Sequence, residues 1–399
     1  MAVTSLIFFA SSLIAALVFR RLPEKARLPW LLLISAAFLA VWNWQFVLVL
    51  ALFGLVNFWL GLQVEKDIPS GKSGWKIAGI VFNILILFVF KYNQFFLPSL
   101  LKLFHAGEQG TALQILLPVG LSFLVVQMIS YLVDVSNERM AAERSLVRFG
   151  VYTLYFPKLL SGPVEHARTF LPRLHSTLPF DRSLLNRSLS LIAIGLLRKL
   201  VFANPLFSMI PTDAFITPSN YAGQHLVLYL LAYAFALFND FAGYTGIVRG
   251  VSLWFGVEIS NNFALPYFSR NFTEFWNRWH ISLSNWLRDY TFFPISRALM
   301  KRLPGREHMV NIIVPPLATM MVSGMWHGLG WGLLVWGGLH GLYQILERLP
   351  GLIRPQTPLD QRPRWRNGLG IAITFTLTLL AWLPFRMDLP TAWAYLQGM

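Results

Sequence analysis

VNIIVPPLATMMVSGMWHGLGWGLLVWGGLHGLYQIL, residues 310–346, contains no Lys, Arg, Asp or Glu. Crossing ~30 Å of hydrocarbon takes about 20 apolar residues, so this stretch reads as a helical hairpin within a bilayer. His327 lies near its middle, flanked by the small-residue pairs Gly324/Gly328 and Gly328/Gly332. Such glycines let helices approach closely and leave room beside an imidazole. His327 therefore has two readings, a structural histidine bonded to a carbonyl or a group facing a ligand. His340, thirteen residues on, would point elsewhere on one straight helix, so the two do not suggest a metal site.

Outward from the hairpin, apolar runs recur at 3–19, 28–62, 77–90, 112–133, 226–238 and 369–385. Of the 399 residues, 55% are hydrophobic and 13% charged, against about a quarter charged in soluble domains. The first run is too long, and too weakly basic at its start, for a cleaved signal peptide. The chain reads as an all-α polytopic membrane protein, with ten or eleven spans plus re-entrant and interfacial segments. One integral domain is expected over 1–399: N-terminal helices at 1–148, a core at 149–347 and a last helix at 348–399. The net charge of +15 would suggest nucleic acid in a soluble protein. Here the basic residues gather in short loops between apolar runs, the positive-inside pattern, and no nucleic-acid partner is expected. The absence of cysteine excludes thiol catalysis and disulfides.

The run 28–62 crosses once or twice. Trp42-Asn43-Trp44 interrupts it with a polar residue between interface-favouring aromatics. With two crossings, the loops 20–28, 63–76 and 136–148 share one side and carry ten Lys and Arg, while loop 98–111 opposite carries Lys102 alone. Two crossings and an N-terminus outside are the expectation. Between 149 and 175, Tyr155-Phe156-Pro157-Lys158-Leu159-Leu160-Ser161-Gly162-Pro163 is apolar yet broken, as in a re-entrant segment lining a cavity.

Polar groups at membrane depth are the informative ones. In FTEFWNRWHISLSNWLRDY (272–290), Phe272, Phe275, Trp276, Trp279, Leu283, Trp286 and Tyr290 form one stripe at 100° per residue. Trp276, His280 and Ser284 follow at i, i+4 and i+8. An interfacial aromatic belt explains the tryptophans; it explains His280 less well. Asp240, inside FNDFAGY (238–244), requires a partner, for which Arg249, Arg278 and Arg288 are the candidates. A structural ion pair is the plainer explanation of Asp240. No phosphate-cradling loop, nucleophile elbow or catalytic carboxylate pair is present.

Four segments in this order, YFPKLLSGPVEHARTFLPRL (155–174), FNDFAGYTG (238–246), NFTEFWNRWHISLSNWLRDY (271–290) and SGMWHGLGWGLLVWGGLHG (323–341), resemble the membrane-bound O-acyltransferase superfamily. The resemblance is to its bacterial branch of alginate O-acetyltransferases and teichoic-acid D-alanyl transferases. It implies a central tunnel, His327 as catalytic histidine and His280 as a second signature position, Asn or His elsewhere. It further implies an acyl donor entering from the cytoplasm, acetyl-coenzyme A or else an acyl carrier protein thioester, with no permanently bound cofactor and no metal. The acceptor would be an exported polysaccharide, or a periplasmic esterase-like partner, approached from outside an inner membrane. Trp276, Trp279, Trp326 and Trp331 would wall the tunnel, and Arg278 and Arg288 would meet donor phosphates. Ser284, Asp289, Asp240, Tyr244 and His340 complete the expected substrate-binding set. Two positions depart from the pattern: Gly246 replaces an acidic residue, and Pro294-Ile295-Ser296-Arg297 replaces a proline-glycine-glycine turn. Many acetyltransferase relatives continue beyond the point corresponding to Met399, so a short or truncated member is expected. D-alanyl-type transfer, acylation of lipid or protein, and a transporter or flippase are the rivals; transporters typically carry internal repeats, and none is visible.

Overall fold

A computed structural model of the chain describes residues 2–103, 117–303, 307–352 and 357–399. Gly107 in the expected outer loop and residues 112–116 of one apolar run lie outside these residues. The described residues are helical, with no strand among them. In order they form α1 (Leu6–Arg21), α2 (Glu24–Ala40), α3 (Trp44–Asp67), α4 (Gly74–Leu103), α5 (Leu121–Ser136), α6 (Leu146–Leu154), α7 (Phe156–Leu159), α8 (Ala167–His175) and α9 (Arg182–Leu196). There follow α10 (Asn204–Ser208), α11 (Gly223–Trp254), α12 (Phe272–Trp276), α13 (Ile281–Leu287), α14 (Phe293–Arg302), α15 (Glu307–His327), α16 (Trp331–Arg348), α17 (Arg364–Arg386) and α18 (Leu389–Gly398). Wide π-turns at Leu197–Ala203 and Arg288–Phe292 join α9 to α10 and α13 to α14.

Among the described residues, five stretches are long and apolar enough to cross a membrane: Trp44–Ser70, Gly74–Tyr92, Arg182–Ser208, Gly223–Trp254 and Arg364–Arg386. The chain is an all-α, multi-pass membrane protein. Other apolar runs are realised as shorter pieces, α1 with 16 residues, α2 with 17 and the shorter apolar helix α5, because caps, glycines and prolines cut them. The expected break at Trp42–Trp44 is such a cut. Asn43 takes extended geometry and its side chain accepts the Gln45 N–H at 2.8 Å, capping α3.

The chain forms two compact units, Met1–Leu196 with Gly243–Ser260, and Leu197–Ala242 with Asn261–Met399. In the first, the stretch expected to be re-entrant is broken into α6, α7 and α8. It is held by buried polar groups: Lys158 donates to Gln127 and lies over the Tyr152 ring at 4.5 Å, while Glu165 pairs with Arg173 at 3.3 Å and accepts the Ser260 N–H. Gly246 sits where a Cβ would come within 3.1 Å of the Leu191 carbonyl, at a close crossing of α9 and α11. Backbones approach this closely only through small residues.

In the second unit, α15 and α16 form the expected hairpin. A Cβ on Gly324 would lie 2.3 Å from the Leu333 carbonyl and one on Gly337 2.4 Å from that of Met320. Trp336, Trp382, Phe275 and Tyr395 fill the core beside them.

Candidate active site

The signature stretch 272–290 is not one helix. Asn271 caps α12 by accepting the Glu274 N–H at 2.7 Å, and Glu274 reaches back to the Arg270 N–H, also at 2.7 Å. After Trp276 the backbone leaves the helix and pairs with a preceding loop. Ala264 N–H donates to Arg278 O and Ile281 N–H to Asn262 O, both at 3.0 Å, while Asn262 Oδ1 accepts from Ser282 N and Oγ. His280 is thereby forced into the left-handed region, φ 43° and ψ 52°, where Asn, Asp and His are enriched among non-glycine residues. This corrects the shared helical face expected for Trp276, His280 and Ser284. It also supplies a physical reason for a position that the resemblance restricts to Asn or His. The stripe from Phe272 to Trp286 is buried, but by two short helices and the turn between them.

The His280 ring is buried edge-on to Phe241 at 4.9 Å and to Trp326 at 6.4 Å. His327 ends α15, half-buried, with Trp326 at 4.9 Å, Phe385 at 5.1 Å and Trp336 at 5.3 Å around it. His340 lies on the returning helix, 0% exposed, between Trp276 and Trp336 at 5.1 Å each. The hairpin thus brings His327 and His340 to one indole, that of Trp336, which a single straight helix would not do. Both histidines of the expected catalytic pair contact Trp326.

Two openings adjoin this cluster. A cavity of about 140 Å³ is lined by Trp276, Ser284, Arg288, Thr319, Gln344 and Arg348, among others. From it Arg348, Gln344, His340 and Trp336 follow one another at four-residue steps along α16, about 18 Å of helix, ending beside His327. A cleft of about 450 Å³ between the start of α16 and the α17–α18 junction is lined by Trp331, Phe385, Arg386 and Asp388. Phe385 touches His327 from that side. Between the openings lie polar atoms with no partner among the described residues: Trp276 Nε1, Trp336 Nε1, both His340 ring nitrogens, Thr319 Oγ1 and Ser323 Oγ. A buried polar atom left unpaired costs about 1–3 kcal/mol, so such a line suits a passage for a polar ligand.

Other expected residues are placed differently. Asp240 pairs with Lys199 of the π-turn, not with any of the three candidate arginines. Arg278 is taken up by Glu274 at 2.7 Å, which Arg270 also holds at 2.8 Å, so Arg278 is not among the residues lining the cavity. Arg288 lines it, 3.5 Å from Asp289. The Ser284 hydroxyl donates to Trp279 O at 3.0 Å, and Trp279 packs against Phe275 and Trp382. Trp331 is 77% exposed at the first turn of α16, where it lines the cleft beside the α17–α18 junction. Tyr244 belongs to the first unit, where its hydroxyl accepts the Ser161 N–H. Sequence reasoning missed Trp336, Phe385 and Arg348. Only the four-residue spacing from Trp336 to Arg348 could have pointed to two of them; Phe385 has no such signal. Among the described residues no cluster of three His, Asp or Glu gathers as a metal site.

A multi-pass helical protein with two histidines in an aromatic cluster suits acyl transfer within the bilayer, and comparison with known proteins agrees. Residues 75–385 match the model of the membrane-bound O-acyltransferase (MBOAT) family. The chain is 32% identical over 382 residues to a probable alginate O-acetylase, AlgI, of Pseudomonas aeruginosa, covering 94% of this chain and 70% of that protein. It is 27% identical to a peptidoglycan O-acetyltransferase of Helicobacter pylori, over 93% of this chain and 73% of the relative. A teichoic acid D-alanyltransferase of Streptococcus thermophilus is 29% identical, over 81% of this chain and 86% of its own. The chain belongs to the membrane-bound O-acyltransferase family and is an acyltransferase.

Proposed function

We propose that this acyltransferase moves an acetyl group from a cytoplasmic thioester, acetyl-coenzyme A in preference to an acyl carrier protein, to hydroxyls of an exported polysaccharide or to a periplasmic relay partner. The observation that carries the reading is the polar line from Arg348 and Arg288, past Trp276 and His340, to Trp336 and His327. Arginines at its entrance suit the phosphates of the donor, and the unpaired polar atoms along it suit a thin arm bearing amides. His327 is the general base: its imidazole takes the proton of the acceptor hydroxyl as the oxygen attacks the thioester carbonyl. The C–O bond forms, the C–S bond breaks, and the proton passes to the departing thiolate. The imidazolium formed on the way lies at the C-terminal end of α15, where helix carbonyls favour positive charge. His280, beside Trp326, orients the acceptor or donates to the oxyanion. The outer cleft at Trp331 and Arg386 receives the acceptor, and surrounding indoles keep out water that would hydrolyse the thioester. Basic loops set the N-terminus outside an inner membrane.

The test is purified protein with labelled acetyl-coenzyme A and acceptor. His327→Ala should lower transfer about 10²–10⁴-fold while the protein still melts normally in detergent. Arg288→Gln with Arg348→Gln should raise the KM for the donor and weaken its binding. Undiminished transfer by His327→Ala would make that histidine structural. Capture of a charged carrier protein, with no coenzyme A binding, would reassign the donor.

A further inference from the structure

At the other end of α17 from the acceptor cleft, a cavity of about 610 Å³ is lined by Arg362, Trp365, Arg366, Leu369, Ile373 and Glu347, among others. Its depth in the membrane is set by the helix itself. The 23 residues of Arg364–Arg386 span about 35 Å, so their first turn lies at one bilayer surface. Trp365, Leu369 and Ile373 recur at four-residue steps and are each close to half exposed or more, an apolar strip descending from that surface. Arg362, just before the helix, and Arg366 in its first turn both line the cavity at that end.

The head of this cleft is built rather than loose. Arg362 Nε donates to Thr357 O at 2.9 Å, Asn367 Nδ2 to Leu359 O at 3.1 Å and Arg270 Nη1 to the same carbonyl at 3.3 Å. Gly370 lets α17 approach residue 270, since a Cβ there would stand 2.5 Å from the Arg270 carbonyl. On the opposite wall Glu347 is fixed by the N–H groups of Phe272 and Thr273, at 2.7 and 3.2 Å, beside Asn271. The result is a two-arginine seat at headgroup depth, with oxygen acceptors facing it and an apolar groove below.

We propose that this cleft is a binding site for one anionic phospholipid. Arg362 and Arg366 grip the headgroup phosphate, Trp365 lies at the polar–apolar boundary, and the acyl chains run along Leu369 and Ile373. A hydroxylated headgroup meets Glu347 and Asn271, which separates this seat from a generic surplus of interfacial arginines. With Glu347 the three charged groups carry a net +1, which favours a net anionic lipid, and a choline trimethylammonium has no hydrogen to donate to Glu347 or Asn271 as a glycerol headgroup has.

The experiment is native mass spectrometry of the delipidated full-length protein, titrated with phosphatidylglycerol, phosphatidylcholine or inorganic phosphate. One phosphatidylglycerol should be retained in preference to phosphatidylcholine. Arg362→Gln with Arg366→Gln should weaken retention about thirtyfold, while the corresponding Lys pair keeps most of it. Equal retention of the two lipids, or a Gln pair that binds as wild type does, would overturn the proposal. So would displacement of the lipid by millimolar inorganic phosphate or by the chain-free headgroup, which would make the cleft a free-anion site. If the Gln pair does not fold, the lipid and phosphate competitions on wild type still decide.

Discussion

Replacing His280 by glycine and by alanine tests the left-handed turn that sets the site. Both substitutions remove the same ring, so the lost packing against Phe241 and Trp326 cancels in the comparison. What remains is backbone. At φ 43° and ψ 52°, alanine suffers about 1–2 kcal/mol of strain that glycine does not, against the ~0.5–1 kcal/mol glycine loses in unfolded-chain entropy. His280→Gly should therefore be the more stable variant by up to about 1.5 kcal/mol. If 272–290 were one continuous helix, the sign would reverse, with alanine ahead by about 1 kcal/mol. Parallel unfolding curves in detergent read the difference directly. His280→Asn tolerates the same backbone region and keeps an amide donor, so it should retain more transfer than either. Alanine more stable than glycine would refute the turn and return Trp276, His280 and Ser284 to one helical face.

Two further outcomes follow from named groups. A cysteine at the exposed Ser70 should be labelled from the cytoplasmic side alone and one at Gly107 from outside, with no native cysteine to confuse the signal; the opposite pattern would overturn the charge-based orientation. Burial alone would push the Glu274 carboxyl up, but hydrogen bonds from the Arg270 side chain and N–H, with Arg278 beside them, hold it below its ordinary value. The stability this confers is present above the unfolded carboxylate range and disappears as pH falls through the depressed one. Glu274→Gln should flatten that acid limb of the melting profile; an unchanged limb would place its origin elsewhere.

Sequence alone made the membrane class, the break at Trp42–Trp44, the 310–346 hairpin and the last span legible, since each rests on local chemistry: charge-free length or a polar residue between aromatics. Long-range pairings were not legible in the same way. Asp240 meets Lys199 of the π-turn Leu197–Ala203, forty-one residues earlier in the chain, and no local pattern in the sequence links the two. Arg278 was removed from the cavity by Glu274 one turn earlier, a pair at four-residue spacing that was open to view. The turn at His280 was hidden because no glycine or proline marks it; tertiary hydrogen bonds to Asn262 and Ala264 impose it.

The tryptophans show why an indole alone does not identify the inner face. In water an apolar stripe marks the face turned to the core, because the opposite face is solvated. In a bilayer both faces are apolar, and an indole at regular spacing is as much at home toward lipid as toward the interior. Trp331 and Trp336 stand five residues apart on one helix, the first 77% exposed and the second 1%. What distinguishes them is company. Trp336 shares its edge of α16 with His340, Gln344 and Arg348, groups too polar to face lipid, and Trp331 does not. In this chain, then, the polar stripe rather than the aromatic one identifies the inner face, and it runs from the cavity at Arg348 to the indole against His327.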